Sequence, residues 1–586
     1  MKTYRKAKLK FTLNRIKNFL WIFARNKKGM IGVAILIFYA FIAFGAPIIT
    51  PYSPTDYTPL SGQFSVPAWL QNFPGGENLS ENVNPIKASD FATLESLNAW
   101  NITTTSQNII VQQTTSKGNP YGSGAGVIAI KFRREETGLT YGTANFTIAQ
   151  EFIYPYKGPP KFFIGSIAFS IQGTGDRNET VIALDVPVRI SLYMQRIESE
   201  EARENRENWL GKWENATALL SAINFWTIPP ISPSFLTMPL LSPPRTAEDK
   251  WKLWPLPTTT FSAPTPIMSR DGTIESVNPS WILSKESPAS DITQIDPRNT
   301  GFTRGFPNAL ETIFNNYYLP CKYILSVEIQ FLDTKYPNKS VETTVYMDDI
   351  TFRTYGTAFG LLGTDQFGRD IFTQLVYGAR ISLYVGLLSS FLAVILGLLF
   401  GLASGYLGRV VDEVIMRFTD MLLVLPTLPL LIVLVAVLGA SLNNLILILG
   451  FLGWMGFART VRSQVLSLRE RPFVEAATAI GAGKTHIIFR HILPNVMSLV
   501  YVSLATAVPG NVVAEAALSW LGFYDPNVMS WGRMLNDVQA NAGGGAIFSW
   551  WWILPPGLSI ALIAISFVMI GYALDEVLNP RLRIRR

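Results

Sequence analysis

Residues 481–485 read Gly-Ala-Gly-Lys-Thr, the residue types that close a phosphate-binding loop. Such a loop needs G-x-x-x-x-G-K-[ST] between a buried strand and a helix, so that successive backbone N–H groups can wrap the phosphates. The position five before Gly483 is Thr478, and the preceding Val-Glu-Ala-Ala-Thr-Ala-Ile favours a helix over a strand. No Asp-ended apolar strand stands ready to hold magnesium, so the pattern argues against an ATP site in this chain. The only histidines, His486 and His491, lie five apart on the same stretch with no cysteine or acid pair nearby, which argues against a metal site. No nucleophile, base and orienting group form a recognisable arrangement, and no catalytic residue is assigned. Glu515 lies within an apolar run, where inserting a charge costs about 2.5–3.5 kcal/mol, so it is expected to face a partner, a water-filled path or a hydrogen-bonding helix.

The elements that position these residues are membrane spans. The chain is 48% apolar and only 16% charged, with a mean hydropathy of +0.23, more apolar than a soluble domain of this length. A helix needs about 20 apolar residues to cross the hydrocarbon. Apolar runs at 30–49, 381–408, 421–440, 445–458, 496–523 and 551–574 give six expected spans, of which the fourth is the shortest. Arg417 and Asp420 flank the third and read as interfacial anchors.

Charge orients the spans. Residues 1–28 carry ten Lys or Arg and no acid, which places the N-terminus in the cytoplasm. This basic lead and the apolar run after it exceed the dimensions of a cleaved signal peptide. Six spans return the C-terminal Arg-Leu-Arg-Ile-Arg-Arg to the same side, along with residues 459–491 and their six Lys or Arg against two Glu. Residues 51–350 then lie outside, with 23 basic and 30 acidic residues. Six N-x-[ST] sequons fall in that segment, at Asn78, Asn101, Asn145, Asn178, Asn215 and Asn338, and glycosylation there requires an external location. Cys321 is the only cysteine, which excludes an internal disulfide. Sequons and a single cysteine suit an archaeal surface.

The outer segment reads as β. Alternating or β-branched runs occur at 108–114, 126–133, 161–172 and 180–197, and again at 323–352, where a Pro-Asn turn joins two strands. Short strands with polar turns suggest a sandwich or jelly roll. Val-Tyr-Met-Asp-Asp-Ile-Thr-Phe at 345–352 resembles the last strand of jelly-roll carbohydrate-binding modules. The Pro- and Trp-rich residues 226–268 fit loop packing better than a sugar platform.

Residues 475–494 resemble the EAA loop of ABC importer permeases. Glu475, Ala476, Ala477, Gly481, Leu493 and Pro494 stand at that family's spacing, with His491 where its pattern has Ile. Alanines let a short helix approach a partner closely, Gly481 supplies a turn that a Cβ would resist, and Pro494 can open the next helix. The segment Gly363, Thr364, Asp365, Gln366, Phe367, Gly368, Arg369, Asp370 is similar to the outer motif of the dipeptide and oligopeptide permeases, in particular their C-type subunit. So are the stretches beginning at Tyr377, Gly405, Phe457, Ala514 and Ser530. The resemblance covers residues 1–56 and 355–586; Tyr-Ala-Leu-Asp-Glu at 572–576 and the long outer segment depart from it.

The resemblance implies an α-helical polytopic membrane protein with six transmembrane helices, of the MetI-like type I ABC importer fold, interrupted by a mainly-β outer domain. The expected layout is a basic cytoplasmic stretch at 1–29, the first span at 30–50, the outer insertion at 51–350, the outer motif segment at 351–380, and a permease core at 381–586 with its coupling loop at about 459–495. The implied function is a pore-forming permease that imports peptides by alternating access, with oligosaccharides as the alternative cargo. An anchored carbohydrate-binding receptor is the alternative of a different class. The implied partners are a homologous second permease, two ABC ATPase subunits that carry ATP and Mg, an extracytoplasmic substrate-binding protein and membrane lipid. The chain itself is expected to hold no cofactor and to meet no nucleic acid, in the plasma membrane with both termini cytoplasmic.

Overall fold

Proline and paired charges, more than hydropathy, set where the apolar runs begin, break and end. In a computed structural model, the described residues are 17, 21–56, 59–87, 91–115, 126–135, 142–173, 186–197, 223–227, 254–255, 261–263, 282–284, 322–334, 340–541 and 549–578. They divide into a helical unit, Met1–Pro67 with Gly360–Arg586, and a β unit, Ala68–Phe359. Residues 51–67 therefore belong with the helices.

The helical unit contains α1 (Lys27–Ile49), α2 (Ile371–Leu407), α3 (Arg409–Val424), α4 (Thr427–Leu438), α5 (Leu442–Gly453) and α6 (Met455–Arg469). After them come α7 (Pro472–Ala479), α8 (Leu493–Trp520), α9 (Trp531–Ala540) and α10 (Trp550–Leu578). Among the described residues, five helical runs are long and apolar enough to cross a membrane: α1, α2, α5 with α6, Lys484–Trp520, and α10. A sixth exists only if α3 and α4, bent by 93°, count as one broken span.

The third and fourth expected spans are thus redrawn. The run at 421–440 is not one helix: Pro426 has no N–H to donate and holds Leu425 extended at ψ 134, so the ladder stops there. The run at 445–458, shortest by sequence, sits inside the 28-residue Leu442–Arg469. Its charged continuation stays helical because Arg462 and Arg459 are neutralised by Asp412 and Asp420 of α3.

α2 is the axis of the unit, packing on α1, α5, α6 and α8. Close approach is possible because α2 is glycine-lined: at Gly401 a Cβ would stand 2.6 Å from the Val461 Cβ. Tyr39 of α1, Trp531 of α9 and Trp552 of α10 share one buried cluster, and Trp454 anchors a second with α4 and α5.

The β unit comprises β1 (Asn101–Thr104), β2 (Ile109–Thr114), β3 (Val127–Arg134), β4 (Gly142–Ile153), β5 (Phe162–Gly173) and β6 (Val188–Ile197). It continues with β7 (Ile223–Thr227), β8 (Trp254–Pro255), β9 (Phe261–Ala263), β10 (Ile282–Ser284), β11 (Lys322–Asp333) and β12 (Val341–Tyr355). One antiparallel sheet runs β1-β4-β11-β6-β7, the other β2-β3-β12-β5-β10-β9-β8. Their inner faces meet in one core, where Phe132 stacks on Phe331 at 5.3 Å and Phe152 meets Phe352 at 5.3 Å. The strands at 323–352 do not pair with each other, since β11 and β12 belong to opposite sheets. Their Pro-Asn turn, and most of residues 226–268, lie outside the described residues. A bulge between Asp348 and Thr351 shifts the β12 register and leaves Ile350 in the core.

A buried ion pair ties the sheets together. Arg134, ending β3, gives Nε to Asp333 Oδ2 at 2.5 Å and Nη2 to Oδ1 at 3.0 Å, and Asp333 ends β11. Both side chains are 2% exposed. Removing one partner leaves an uncompensated buried charge, at a cost of about 3–5 kcal/mol. A soluble fragment spanning 68–359 is expected to unfold cooperatively with β-type circular dichroism. Asp333→Ala is expected to lower its unfolding free energy, read from urea melts, by that much, and a change under 1 kcal/mol would show that the pair does not join the sheets.

Candidate functional site

The coupling segment is built from one short helix and the turn that ends it. α7 begins with Pro472 in its first turn, where a missing N–H is harmless, and carries Glu475 near its N-terminus. At its end the Gly481 N–H reaches Thr478 O at 3.0 Å and the Ala482 N–H reaches Ala477 O at 3.1 Å. This pair of bonds is a Schellman motif and requires a left-handed residue, and Gly481 has φ +86. Nothing lies within 4 Å of where a Gly481 Cβ would sit, so the constraint is backbone conformation and not crowding.

The inner side of the segment rests on a small apolar cluster. Val474, Ile487 and Ile492 are buried there with Leu402, Val461 and Val465, and Ala477, Ala482 and Leu493 pack against it. The outer side is bare: Phe473, Glu475, Ala476 and Ile480 are exposed, Ile480 at 87%. Glycines 481 and 483 follow a helix, so no strand precedes them to form a phosphate cradle. Pro494 stands in the first turn of α8, where its missing N–H is harmless. It follows a π-helical turn, Ile488–Ile492, in which the Leu493 N–H bonds Ile488 O; that turn accommodates a residue unable to donate inside a continuous helical run. His486 and His491 stand edge to face at 5.9 Å, and no group of three or more His, Cys, Asp or Glu suited to a metal occurs among the described residues.

The second sequence motif, at 363–370, is a buried clasp. Asp365 Oδ1 accepts from the N–H groups of Phe367 and Arg369, both at 2.9 Å, and Oδ2 accepts from Arg369 Nε at 2.6 Å and Gln374 Nε2 at 2.7 Å. Thr364 Oγ1 donates to Gly62 O at 2.5 Å and accepts from the Ser65 N–H at 2.9 Å. The Gly368 carbonyl accepts from Leu60 and Ser61. Gly363 and Gly368 have φ +70 and +76, and carbonyls of Ser65 and Ser61 occupy the space a Cβ would need. Asp370 caps α2 through the N–H groups of Phe372 and Thr373. Burial pushes its carboxyl above the usual carboxylate range, against the Thr373 bonds.

Arg369 extends the clasp to α9, where its Nη2 lies 3.6 Å from Asp537 Oδ2. Desolvation lifts the Asp537 carboxyl to about 6, despite the opposing pull of Arg533 and Arg369. No sequence signal marks Asp537, which lies outside every recognised stretch. Arg533 holds the approach to α9 by bonding Pro526 O and Val528 O, each at 2.8 Å.

Glu515, on α8, is 2% exposed and accepts from Ser519 Oγ at 2.8 Å, with the hydroxyls of Ser382 on α2 and Ser530 at the α9 cap beside it. Of the sequons, Asn78 and Asn101 are exposed, while Asn145 is half-buried and donates Nδ2 to Glu328 at 3.2 Å. Asn178, Asn215 and Asn338 lie outside the described residues. Sequence reasoning treated Asp420 as an anchor and passed over Asp412; both pair with α6. A signal was present in the charges at 412 and 420 facing those at 459 and 462.

Residues 394–584 match the family described as binding-protein-dependent transport system inner membrane component, and residues 14–67 match the N-terminal TM domain of oligopeptide transport permease C. Both ranges fall in the helical unit. The dipeptide transport system permease protein DppC of Alkalihalophilus pseudofirmus is 41% identical over 222 residues, 38% of this chain and 72% of that protein. DppC of Bacillus subtilis is 37% identical over 38% of this chain and 68% of its own length. The oligopeptide permease OppC of Haemophilus influenzae is 37% identical over 38% and 71%.

The Asp537 shift has a definite sign. Between the ordinary carboxylate value and about 6, the folded protein keeps a proton that the unfolded chain has released, so stability falls as pH rises through that window and is level above it. Asp537→Asn removes the penalty. Thermal unfolding of the full chain is expected to show this variant more stable at pH 7, by up to about 3 kcal/mol, with the gain fading by pH 4; an equal gain at both pH values would contradict the assignment.

Proposed function

The chain belongs to the inner-membrane components of binding-protein-dependent transport systems, and we propose on that premise that it is one half of the membrane pathway of an ATP-driven importer of peptides. It is a transport subunit whose ATPase is a separate chain. The dipeptide and oligopeptide names of its relatives favour peptide cargo over oligosaccharides, and five or more spans with a permease match exceed what an anchored carbohydrate receptor needs. Those relatives are bacterial and lend no support to an archaeal setting.

The observation that carries the mechanism is α7: rigidly capped, seated on an apolar cluster, yet with Phe473, Ala476 and Ile480 exposed on its outer side. Such a helix fits a cleft on a partner ATPase. Closure of two ATPase subunits around ATP and Mg pushes on α7, the apolar cluster passes the displacement to α2, α6 and α8, and the pathway shared with a second, homologous permease changes its open side. Cargo arrives from an extracytoplasmic binding protein. The ten basic residues of 1–28 and those of 459–491 support cytoplasmic termini in the plasma membrane, with 51–350 outside and the segment from α3 through α4 returning the chain to the outer side between α2 and α5. The β unit docks or retains the binding protein.

With partners and binding protein in vesicles, Gly481→Val is expected to abolish uptake and the cargo stimulation of ATP hydrolysis while membrane insertion persists. Gly481→Asn, which tolerates the left-handed region, is expected to keep a substantial share of both. Full transport by the Val variant would remove α7 from the coupling path.

Excising the β unit tests its role. Joining Pro67 to Gly360 retains the looped segment 60–66 that completes the clasp, and is expected to leave uptake normal at saturating cargo and impaired at limiting cargo. Joining Pro51 to Gly360 cuts the clasp away and is expected to destabilise the helical unit. Normal uptake by the first variant at all cargo concentrations would leave the β unit without a docking role.

A further inference from the structure

α3 does not behave as part of a transmembrane helix. Its surface is divided into three sectors. One faces the protein, with Thr419 buried and Asp412 held by Arg462 through bonds of 2.5 and 2.6 Å. A second, at i, i+4, i+8 and i+11, presents Val410, Val414, Phe418 and Met421, continuing at Leu425; all are exposed, Val410 and Met421 to 70% or more. The third, directly beside it, is charged: Glu413 pairs with Arg417 and Asp420 with Arg459, on the exposed flank. An apolar sector bordering a charged one on the same exposed helix needs two solvents, and the boundary between acyl chains and headgroups provides both.

The pairing geometry gives the helix its direction. Asp412 and Asp420 are about 12 Å apart along α3, while their partners Arg462 and Arg459 are about 4.5 Å apart along α6 at 1.5 Å per residue. α3 therefore crosses α6 steeply. Because α5 and α6 form one membrane-spanning run, a helix laid across it lies near the plane of the bilayer. The 93° bend into α4 agrees, and the exposed apolar surface continues onto α4 at Leu428 and Val433.

We propose that α3 is an interfacial helix, lying in the membrane plane on the face that carries Arg469, with Val410, Val414, Phe418 and Met421 among the acyl chains and Glu413 and Arg417 among the headgroups. The occupant of the apolar sector is lipid. α4 leaves this interface toward the bilayer interior, so the Pro426 hinge marks the point of entry. The salt bridges to α6 clamp the helix to the spanning bundle, and lipid holds its other side. This rests on the membrane reading of the helical unit but not on its cargo or partners.

Nitroxide labels test it in the assembled transporter in lipid nanodiscs. In a Cys321→Ser background, Val414→Cys, Met421→Cys, Glu413→Cys and, as reference on α10, Ile565→Cys are labelled singly, and depth is read from oxygen against nickel-chelate relaxation. Ile565 is exposed on a spanning helix and is expected to be deep. The Val414 and Met421 labels are expected to be oxygen-accessible at equal, shallow depth, and the Glu413 label to be in contact with water. A depth difference near 10 Å between Val414 and Met421, the rise of an upright helix over that interval, would overturn the proposal. So would shielding of both from oxygen and nickel, which would make the sector a protein interface. An aqueous Ile565 label would instead sink the membrane assignment of the unit as a whole.

Discussion

Arg369 holds three parts of the helical unit together. Its guanidinium lies between the Asp365 carboxylate and Asp537 of α9, and Asp365 in turn collects two backbone N–H groups and Gln374 from the second turn of α2. With charge on all sides and almost no exposure, none of these groups can move alone without leaving a buried charge unmatched. The start of α2 is thereby fixed, Asp370 caps it, and residues 60–66 are bound to the same loop through Thr364 and the Gly368 carbonyl. α2 then sets the positions of α1, α5, α6 and α8, which pack along its glycine-lined length. The motif at 363–370 thus works as a foundation for the bundle, with Thr364, Asp365, Arg369 and Asp370 buried within it.

What the sequence disclosed follows the range of the interactions involved. Gly481 was legible because its constraint is local: a left-handed turn closes a helix three to five residues long in bond reach, and glycine is the residue that adopts it. The apolar runs were legible because hydropathy is a sum over neighbours. Pro426 was read through as one residue in a hydrophobic stretch, although its missing N–H ends α3 whatever surrounds it. The Arg459 and Arg462 side chains looked like the end of a span because their counter-charges lie 39 and 50 positions away. Asp537 was invisible for the same reason, its partner being Arg369. Strand identity in the β unit was readable from alternation, but sheet membership was not, since β11 and β12 are neighbours in sequence and belong to opposite layers.

The two ends of the helical unit handle charge in opposite ways. At 363–370 charge is enclosed, satisfied by many hydrogen bonds, and used to make a rigid joint. Along α3 and α6 it is left at the margin, each Asp met by one Arg with a share of solvent. The first arrangement suits a part that must stay fixed. The second holds two helices together while leaving each pair partly solvated, so that neither charge bears the full cost of burial.

The strand order of the β unit bears on how the chain is made. β11 lies at the centre of one sheet and β12 within the other, between β3 and β5. Both are supplied at the very end of the unit, after β1–β10 have left the ribosome. Until residue 333 has emerged, β4 and β6 lack the β11 strand that joins them, and until residue 355 has emerged, β3 and β5 lack β12. Neither sheet can close early, and closure must wait for contacts that span about 180 residues, which slows folding. The next segment synthesised is α2, the axis of the helical unit. Assembly of the bundle and completion of the sandwich therefore fall in the same interval of synthesis, and the open edges of β3, β4, β5 and β6 depend on protection from aggregation until then.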